Sequence, residues 1–435
     1  MTHPQTPSSS AAPGLQRGAL FRDRNFIWML GGGILSMLGD QFTLIALPWL
    51  VLQMSSDTRV LGTVLLIVGL PRALFILIGG AFVDRYSPKR VMMLTKYVNT
   101  VLLGALALLV LTGALTLPWL YALSLGIGLA TAFSIPSGTA MLPQVVAREQ
   151  LQAANGVMLG LRQLAMFVGP LLAGLLIALF GSGRADAVTD ARGLGLAFGF
   201  DAFSFALSAW TLSRVRVLTP PAASATKVSV LASVGEGLRA FWADAQLRTC
   251  LLYWAAVALL ISGPVHIALP VLAKQVPGLG AAALGTMLAA HGAGTLMGMG
   301  VAGAKPQWRL RSLGLTLLAV DALVGLLFMP MGTITATWQG AALLLLIGLL
   351  GGFMQVAVFT WIQRRVPPIM LGRAMSLFMF IFMGLAPLSS AATGWLLHSL
   401  ALSTLFLASG ALLVVIVVVA LLATQMPQVS EAVAA

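Results

Sequence analysis

Long apolar runs broken by short polar punctuation dominate the chain. Each run reaches about 20 residues or more, the length at which a helix rising about 1.5 Å per residue crosses a hydrocarbon layer of roughly 30 Å. With Gly, Pro and charge marking the ends, the pattern predicts helices at 26–52, 60–83, 91–113, 117–138, 154–180 and 193–213. Six more are predicted at 249–272, 280–303, 312–330, 335–360, 374–398 and 401–424. The first run is too long for a cleavable signal region and is taken as an uncleaved span. The expected fold is therefore an all-α integral membrane protein with twelve transmembrane helices. The chain divides into a tail (1–25), a six-helix bundle (26–213), a linker (214–247), a second six-helix bundle (248–424) and a tail (425–435).

The linker opens with Pro220 and Pro221. Over 228–247 it places Val230, Val234, Leu238 and Phe241 at helical spacing among Glu236, Arg239 and Asp244, which predicts an amphipathic helix lying on the membrane surface. The two bundles echo one another. Gly169, Pro170 and Leu171 follow Leu142–Pro143–Gln144–Val145, and Ala386, Pro387 and Leu388 follow Ile362–Gln363–Arg364–Arg365. The two prolines are 217 residues apart, half the chain, as duplication into two pseudo-symmetric bundles requires.

Composition agrees. The 435 residues are 59% hydrophobic and 9% charged, where a soluble domain carries about 25% charged residues, so a water-soluble enzyme is excluded. The net charge of +13 would suggest nucleic acid in a soluble chain. Here its placement gives another reading. With both termini cytosolic, nineteen Lys and Arg residues fall in cytosolic segments, Lys96 among them, and four (Arg59, Arg184, Arg192, Lys274) fall outside. That asymmetry orients a multi-pass protein in its membrane, with membrane lipids and no nucleic acid as partners. Trp28, Trp49, Trp119, Trp210, Trp338, Trp361 and Trp395 lie near predicted span ends, as interfacial anchors do. The single Cys250 excludes an internal disulfide framework and a Cys-based metal site. No metal or other cofactor is expected.

The turn at 80–90 reads Gly-Ala-Phe-Val-Asp-Arg-Tyr-Ser-Pro-Lys-Arg. It resembles the signature of the major facilitator superfamily, Gly-x-x-x-Asp-Arg-x-Gly-Arg-Lys-Arg, with Gly80, Asp84, Arg85, Lys89 and Arg90 in place, Ser87 where the family has Gly, and Pro88 where it has a basic residue. The resemblance implies a conformational gate in which Asp84 meets the start of the predicted helix at 374–398, near Gly372 and Arg373. A helix N-terminus favours such a carboxylate. Gly156, Gly169, Pro170 and Gly174 partly match a motif of the superfamily's drug:proton antiporter branches, with Ala165 and Ala173 replacing two of its glycines; generic close helix packing explains them equally well. The resemblance covers the whole chain, and segments 132–175 and 234–252 look most like the branch containing macrolide exporters and the enterobactin exporter.

Charges inside the spans are independent of that likeness, because an unpaired charge at mid-bilayer costs at least about 3 kcal/mol. Asp40 and Arg72 lie at nearly equal depth in their predicted helices and could pair directly, either as a proton-exchanging couple or as a permanent salt bridge. Ser36, Asp40 and Thr43 recur at i, i+4 and i+7, one polar stripe with Gln41 beside it. The resemblance places that stripe on a transport path, because the superfamily's helices 1, 4, 7 and 10 line its cavity. His266 and His291 are titratable candidates for proton coupling or simple hydrogen bonding. Arg162, about 12 Å inside by helical rise, is read as a packing or lipid contact, and Asp201 and Asp321 as structural hydrogen-bonding groups. Gly348, Gly351, Gly352 and Gln355 read as a packing face with one polar reader, Gln355, in the cavity. Phe378, Met379, Phe380, Phe382 and Met383 give the predicted helix at 374–398 a soft, polarisable surface, where two or three could meet lipophilic ligands and most are expected to contact lipid.

No catalytic constellation and no phosphate-binding run appears, so the chain is expected not to be an enzyme and to draw on an ion gradient. The expectation is a monomeric secondary transporter that exports lipophilic or amphipathic, drug-like molecules by proton antiport with alternating access. The alternatives are a dedicated exporter of a siderophore or other metabolite, and a lysophospholipid flippase.

Overall fold

The computed structural model describes residues 20–180, 191–217, 239, 242–305, 307–366 and 368–429, without the side chains of residues 76–86, 148, 368–370, 372, 373 and 376. All the regular elements described are helices. They run α1 (Arg24–Met54), α2 (Thr58–Tyr86), α3 (Pro88–Leu111), α4 (Leu117–Val145), α5 (Leu151–Phe180) and α6 (Ala191–Arg214). Helix α7 starts as Ala245–Gly263, passes through a π-helical turn at Pro264–Ala268 and ends as Leu269–Gln275. Then come α8 (Ala281–Ala304), α9 (Leu313–Phe328) and α10 (Thr337–Arg365). Helix α11 is Pro368–Met379, a π turn at Phe380–Gly384, and Ala386–Ser399; α12 is Leu402–Ala423. Most of the predicted amphipathic linker helix lies outside the described residues.

Eleven of these helices are long and apolar enough to cross a membrane. Helix α8 has the length, 24 residues, but its six glycines and His291 dilute its hydropathy. Several helices outrun their predicted apolar cores. Helix α4 continues to Val145 through Pro136 and Pro143, and at 29 residues it is longer than the hydrocarbon is thick, so it tilts or projects.

Caps set the starts. Asp57 accepts from the Arg59 amide at the head of α2, Asp244 from Gln246 and Leu247 at the head of α7, and Ser312 from Leu315 at the head of α9. The α2–α3 junction shows the cost of one departure from the family signature and the ease of the other. Ser87 sits at φ 72°, ψ 121°, where an L side chain is strained and the family's Gly would be at ease. Pro88 opens α3, at the one helix position where a missing N–H costs nothing.

Helix α1 packs on α5 and α6, α3 on α4 and α6, and α2 on α4; α8 packs on α10, α9 on α12, and α7 on α11. Between these groups α5 meets α8 and α2 meets α11. Small residues make the α8–α10 contact. A side chain on Gly352 or Gly348 would run into the backbone of Thr295 or His291, and one on Gly298 into Leu349. Gly351 and Gln355 are exposed instead, so the predicted single face splits in two: Gly348 and Gly352 pack while Gln355 stays accessible.

The tryptophans need a similar correction. Trp119, Trp338 and Trp395 are more than half exposed, but Trp49 and Trp361 are buried and anchor no interface. Trp361 joins Trp254, whose ring lies 5.4 Å from Phe378, which in turn lies 5.0 Å from Phe359. Phe378 is thus a core residue, whereas Phe382 is 40% exposed.

Candidate functional site

The α1 stripe turns its polar groups toward three other helices. Ser36 is buried and accepts a hydrogen bond from Lys96 Nζ of α3 at 3.2 Å. Thr43 donates to Asp201 Oδ2 of α6 at 2.5 Å, and Ser204 donates to the same carboxyl group at 3.3 Å. Gly39 makes this possible: any side chain there would collide with Asp201 and Ser204, so α6 comes close enough to deliver its carboxylate only because the position is glycine. Asp40, at the middle of α1, is accessible to solvent although protein surrounds it.

Asp40 lies in the field of Arg72, Lys96 and Arg162. Among the described residues it makes no direct ion pair with any of them, so the direct Asp40–Arg72 contact expected from equal depth is replaced by a looser cluster. The structure changes the assignment of two residues. Lys96 does not sit in a cytosolic loop; it is 4% exposed, eight residues inside α3, with its ammonium 5.5 Å from the Phe205 ring. Arg162, exposed on α5, also contributes to the field at Asp40, which the packing or lipid-contact reading did not include. Asp201 is hydrogen-bonded as expected but also feels Asp40. Asp321 accepts from the Tyr253 hydroxyl at 2.6 Å. Gln41 packs against Gly169 of α5, so much of its side chain serves as a spacer.

From the other group of helices His266 reaches the same region, within the influence of Arg72 and of His291 on α8. His266 stands on the π turn of α7. A hydroxyl of α11 opens the ladder just before it: Ser389 Oγ accepts from the Gly263 amide at 2.7 Å and donates to the Leu259 carbonyl at 2.5 Å. Those two backbone groups are four residues apart and would otherwise bond to each other, so the inserted side chain explains the local change of helical pitch.

The helices of the two groups close on each other at the Thr58 end of α2. Thr58 donates to the Gly394 carbonyl at 2.8 Å. Lys274 Nζ of α7 donates to the Leu52 carbonyl of α1. A side chain on Gly174 of α5 would stand 2.7 Å from the Ala281 carbonyl and 3.0 Å from Gly285 Cα on α8. Arg59 lies 5.6 Å from the Trp395 ring, and His398 Nδ1 lies 3.8 Å from Asp57. Outside the spans, hydrogen bonds from the Arg59 side chain and amide hold the Asp57 carboxyl below the usual carboxylate range. Toward the opposite end Gln163 of α5 donates to Met299 Sδ of α8 at 3.3 Å, and nearer that end Lys89 bonds to the Ser213 and Val215 carbonyls and Arg365 to Asp244 at 2.9 Å, each within one group.

Of the predicted gate, Lys89 and Arg90 are described, while the side chains at Gly80, Asp84, Arg85, Gly372 and Arg373 lie outside the described residues. The helix-5 motif divides: Gly169 meets α1, Pro170 and Gly174 meet α8, and Gly156 faces open space.

Comparison with known proteins adds the lineage. The sequence matches the Major Facilitator Superfamily over residues 29–391. It is 31% identical over 216 residues to the multidrug efflux pump Tap of Mycolicibacterium fortuitum, covering 48% of this chain and 50% of that one. It is 26% identical over 336 residues to the enterobactin exporter EntS of Shigella boydii, covering 76% of this chain and 74% of that one. The match spans about half the length of the Tap relatives. In fold it is similar to an inward-facing bacterial homologue of the iron transporter ferroportin, at a TM-score of 0.69 and 18% identity over 92% of this chain and 98% of that one. It is similar also to an inward-facing bacterial homologue of Spinster, at 0.64 and 16% over 96% and 97%. The family match runs unbroken from α1 through the α2–α3 turn to the Ser389 insertion, and the chain is therefore a multi-pass membrane transporter, not an enzyme, of the major facilitator superfamily.

Proposed function

We propose that this protein is a secondary active exporter of amphipathic small molecules, working by alternating access with protons as the counter-ion. Twelve spans, with α8 as the twelfth, form two six-helix bundles around a central cavity, and both termini lie in the cytosol of a bacterium. The observation that carries the reading is Asp40, a carboxylate exposed at the middle of α1, in the field of three cations and, among the described residues, ion-paired to none of them. Such a group can exchange a proton with cavity water and change its neighbours' electrostatics as it does so. Arg72 and His291 are its partners in coupling, and Ser36, Thr43, His266 and Gln355, with the exposed part of Gln41, line the path. The seal at the Thr58 end supports a cavity open to the cytosol, and the relatives named as efflux pumps support export. The α2–α3 turn, with Gly80, Asp84, Arg85, Lys89 and Arg90 against Gly372 and Arg373, is the inner gate that forms when the cavity opens outward. One monomer holds the whole path.

The test is fluorescence dequenching in acidified everted vesicles, with a panel of amphipathic compounds and with wild type and Asp40→Asn at equal expression. A compound that releases protons through wild type but not through the variant supports the reading. Equal proton release through both removes Asp40 from the coupling step. A second reading, export of one dedicated metabolite, draws support from the EntS relative aligned over three-quarters of the chain. Response to a single compound class in the same panel selects it.

A further inference from the structure

The polar head of the cargo is undefined in the reading above, and the charges of the cavity bear on its sign. Arg72, Lys96 and Arg162 stand around Asp40, and the carboxylates of the region are Asp40 and Asp201. With both ionised, one positive charge is left over; with a proton on Asp201, two are.

Among the described residues, Lys96 and Arg72 lack a contact anion. The Lys96 ammonium, buried in the helix bundle, has only the Ser36 hydroxyl at 3.2 Å and the face of Phe205. Arg72 Nε is buried with no hydrogen-bond partner. Both lie in the field of Asp40, yet among the described residues neither forms an ion pair. Cations buried in a protein interior normally find a counter-ion or a full set of acceptors, because leaving them without one is costly. Asp40, whose field both of them feel, is itself exposed to solvent.

We infer that the site takes small molecules with an anionic head, a carboxylate, sulfonate or phosphate, seated between Lys96 and Arg72, and disfavours those with an ammonium head. This rests on the reading that the Asp40 cavity carries the cargo. Loaded with one negative head, and with Asp40 and Asp201 ionised, the site is formally neutral, the state in which a closed cavity is least costly to hold inside a membrane. Loaded with an ammonium head, it would carry two positive charges. An anion leaving a cytoplasm of negative potential also moves down the electrical gradient.

The experiment uses the full chain, purified in dodecyl maltoside, and three ligands with one body: 11-(dansylamino)undecanoic acid, its primary amide, and the corresponding amine. Binding is read by energy transfer from tryptophan to dansyl, and export of the same three compounds is read in everted vesicles. The acid is expected to bind at least tenfold more tightly than the amide, with the amine weakest. Lys96→Gln and Arg72→Gln should each bring the acid's affinity down to the amide's. Lys96→Arg should keep the preference, which separates loss of charge from loss of folding. Equal binding of acid, amide and amine by wild type overturns the inference, as does a monodisperse Lys96→Gln protein that keeps the preference. If the three compounds are exported without preference, only the charge assignment falls. If none is bound or exported, the transport reading falls with it.

Discussion

Helices α1–α6 hold Asp40, Arg72, Lys96, Arg162 and Asp201, whereas α7–α12 hold the two π turns, the Trp254–Phe378 cluster, His266 and His291. The first group keeps its helices α-helical even with Pro48, Pro71, Pro136, Pro143 and Pro170 inside them. In the second, Pro264 and Pro387 adjoin π turns, and the Ser389 hydroxyl enters the α7 ladder. The contrast points to a division of labour. Charges work at fixed separations and are set on regular helices, while a change of shape needs places where the ladder is already open.

The sharpest way to break that division is to neutralise one ionisable group on each side. Asp40→Asn should lower proton-coupled transport by roughly two orders of magnitude, the equivalent of ~3 kcal/mol for a mid-bilayer charge. His266→Gln should stay within about threefold of wild type, on the same scale less than 1 kcal/mol. Vesicle dequenching at matched expression reads both, and a larger loss in His266→Gln would reverse the assignment. Next in size is the seam between the groups. Gly174→Leu, forced against the Ala281 carbonyl, should cost about 1–3 kcal/mol of overpacking in the closed end. Thiol labelling of a cysteine placed at Ala281 should then rise, and unchanged labelling would show that the seam yields elsewhere.

A smaller effect of opposite sign is expected at the α2–α3 turn. Ser87→Gly relieves a backbone at φ 72° and should raise stability by about 1 kcal/mol, measured by thermal unfolding in detergent. The least effect belongs to Asp57. Its carboxyl is held below the ordinary carboxylate value by Arg59, so the contribution is present above that ordinary value and is lost only as pH falls through the lowered one. Stability of Asp57→Asn and wild type should therefore differ by the same small amount from pH 8 to pH 5 and converge below about pH 4. Convergence already near pH 6 would mean that another group dominates.

Much of the fold could be read from the lengths of apolar runs, because a hydrocarbon layer imposes one length scale on every crossing helix. The described helices fall where the runs do, with ends displaced by a few residues where capped polar turns extend them. The site was only half legible. Asp40 and Arg72 announce themselves as charges within apolar runs. Lys96 does not, since it follows Pro88 by eight residues and sequence alone does not say where the hydrocarbon begins. The signal that could have found it is the polar face it shares with Thr95 and Asn99, all three buried among apolar neighbours. Arg162 and Asp201 join the cluster through the rotation of α5 and α6 about their axes, which no one-dimensional pattern contains. Gly39 looks like any other small residue of a membrane helix until Asp201 is seen against it. The π turns leave only a faint trace, a proline after Gly263 and another after Ala386.

The glycine seam at Gly174, Gly285, Gly62 and Gly394 brings main chain against main chain. Surfaces without side chains have no rotamers to freeze on closing and none to release on opening, so the two states of such a joint differ little in conformational entropy. The balance between them is then open to small inputs. A few kcal/mol from a bound cargo or a transferred proton suffices to move most molecules from one state to the other, and the response should depend only weakly on temperature.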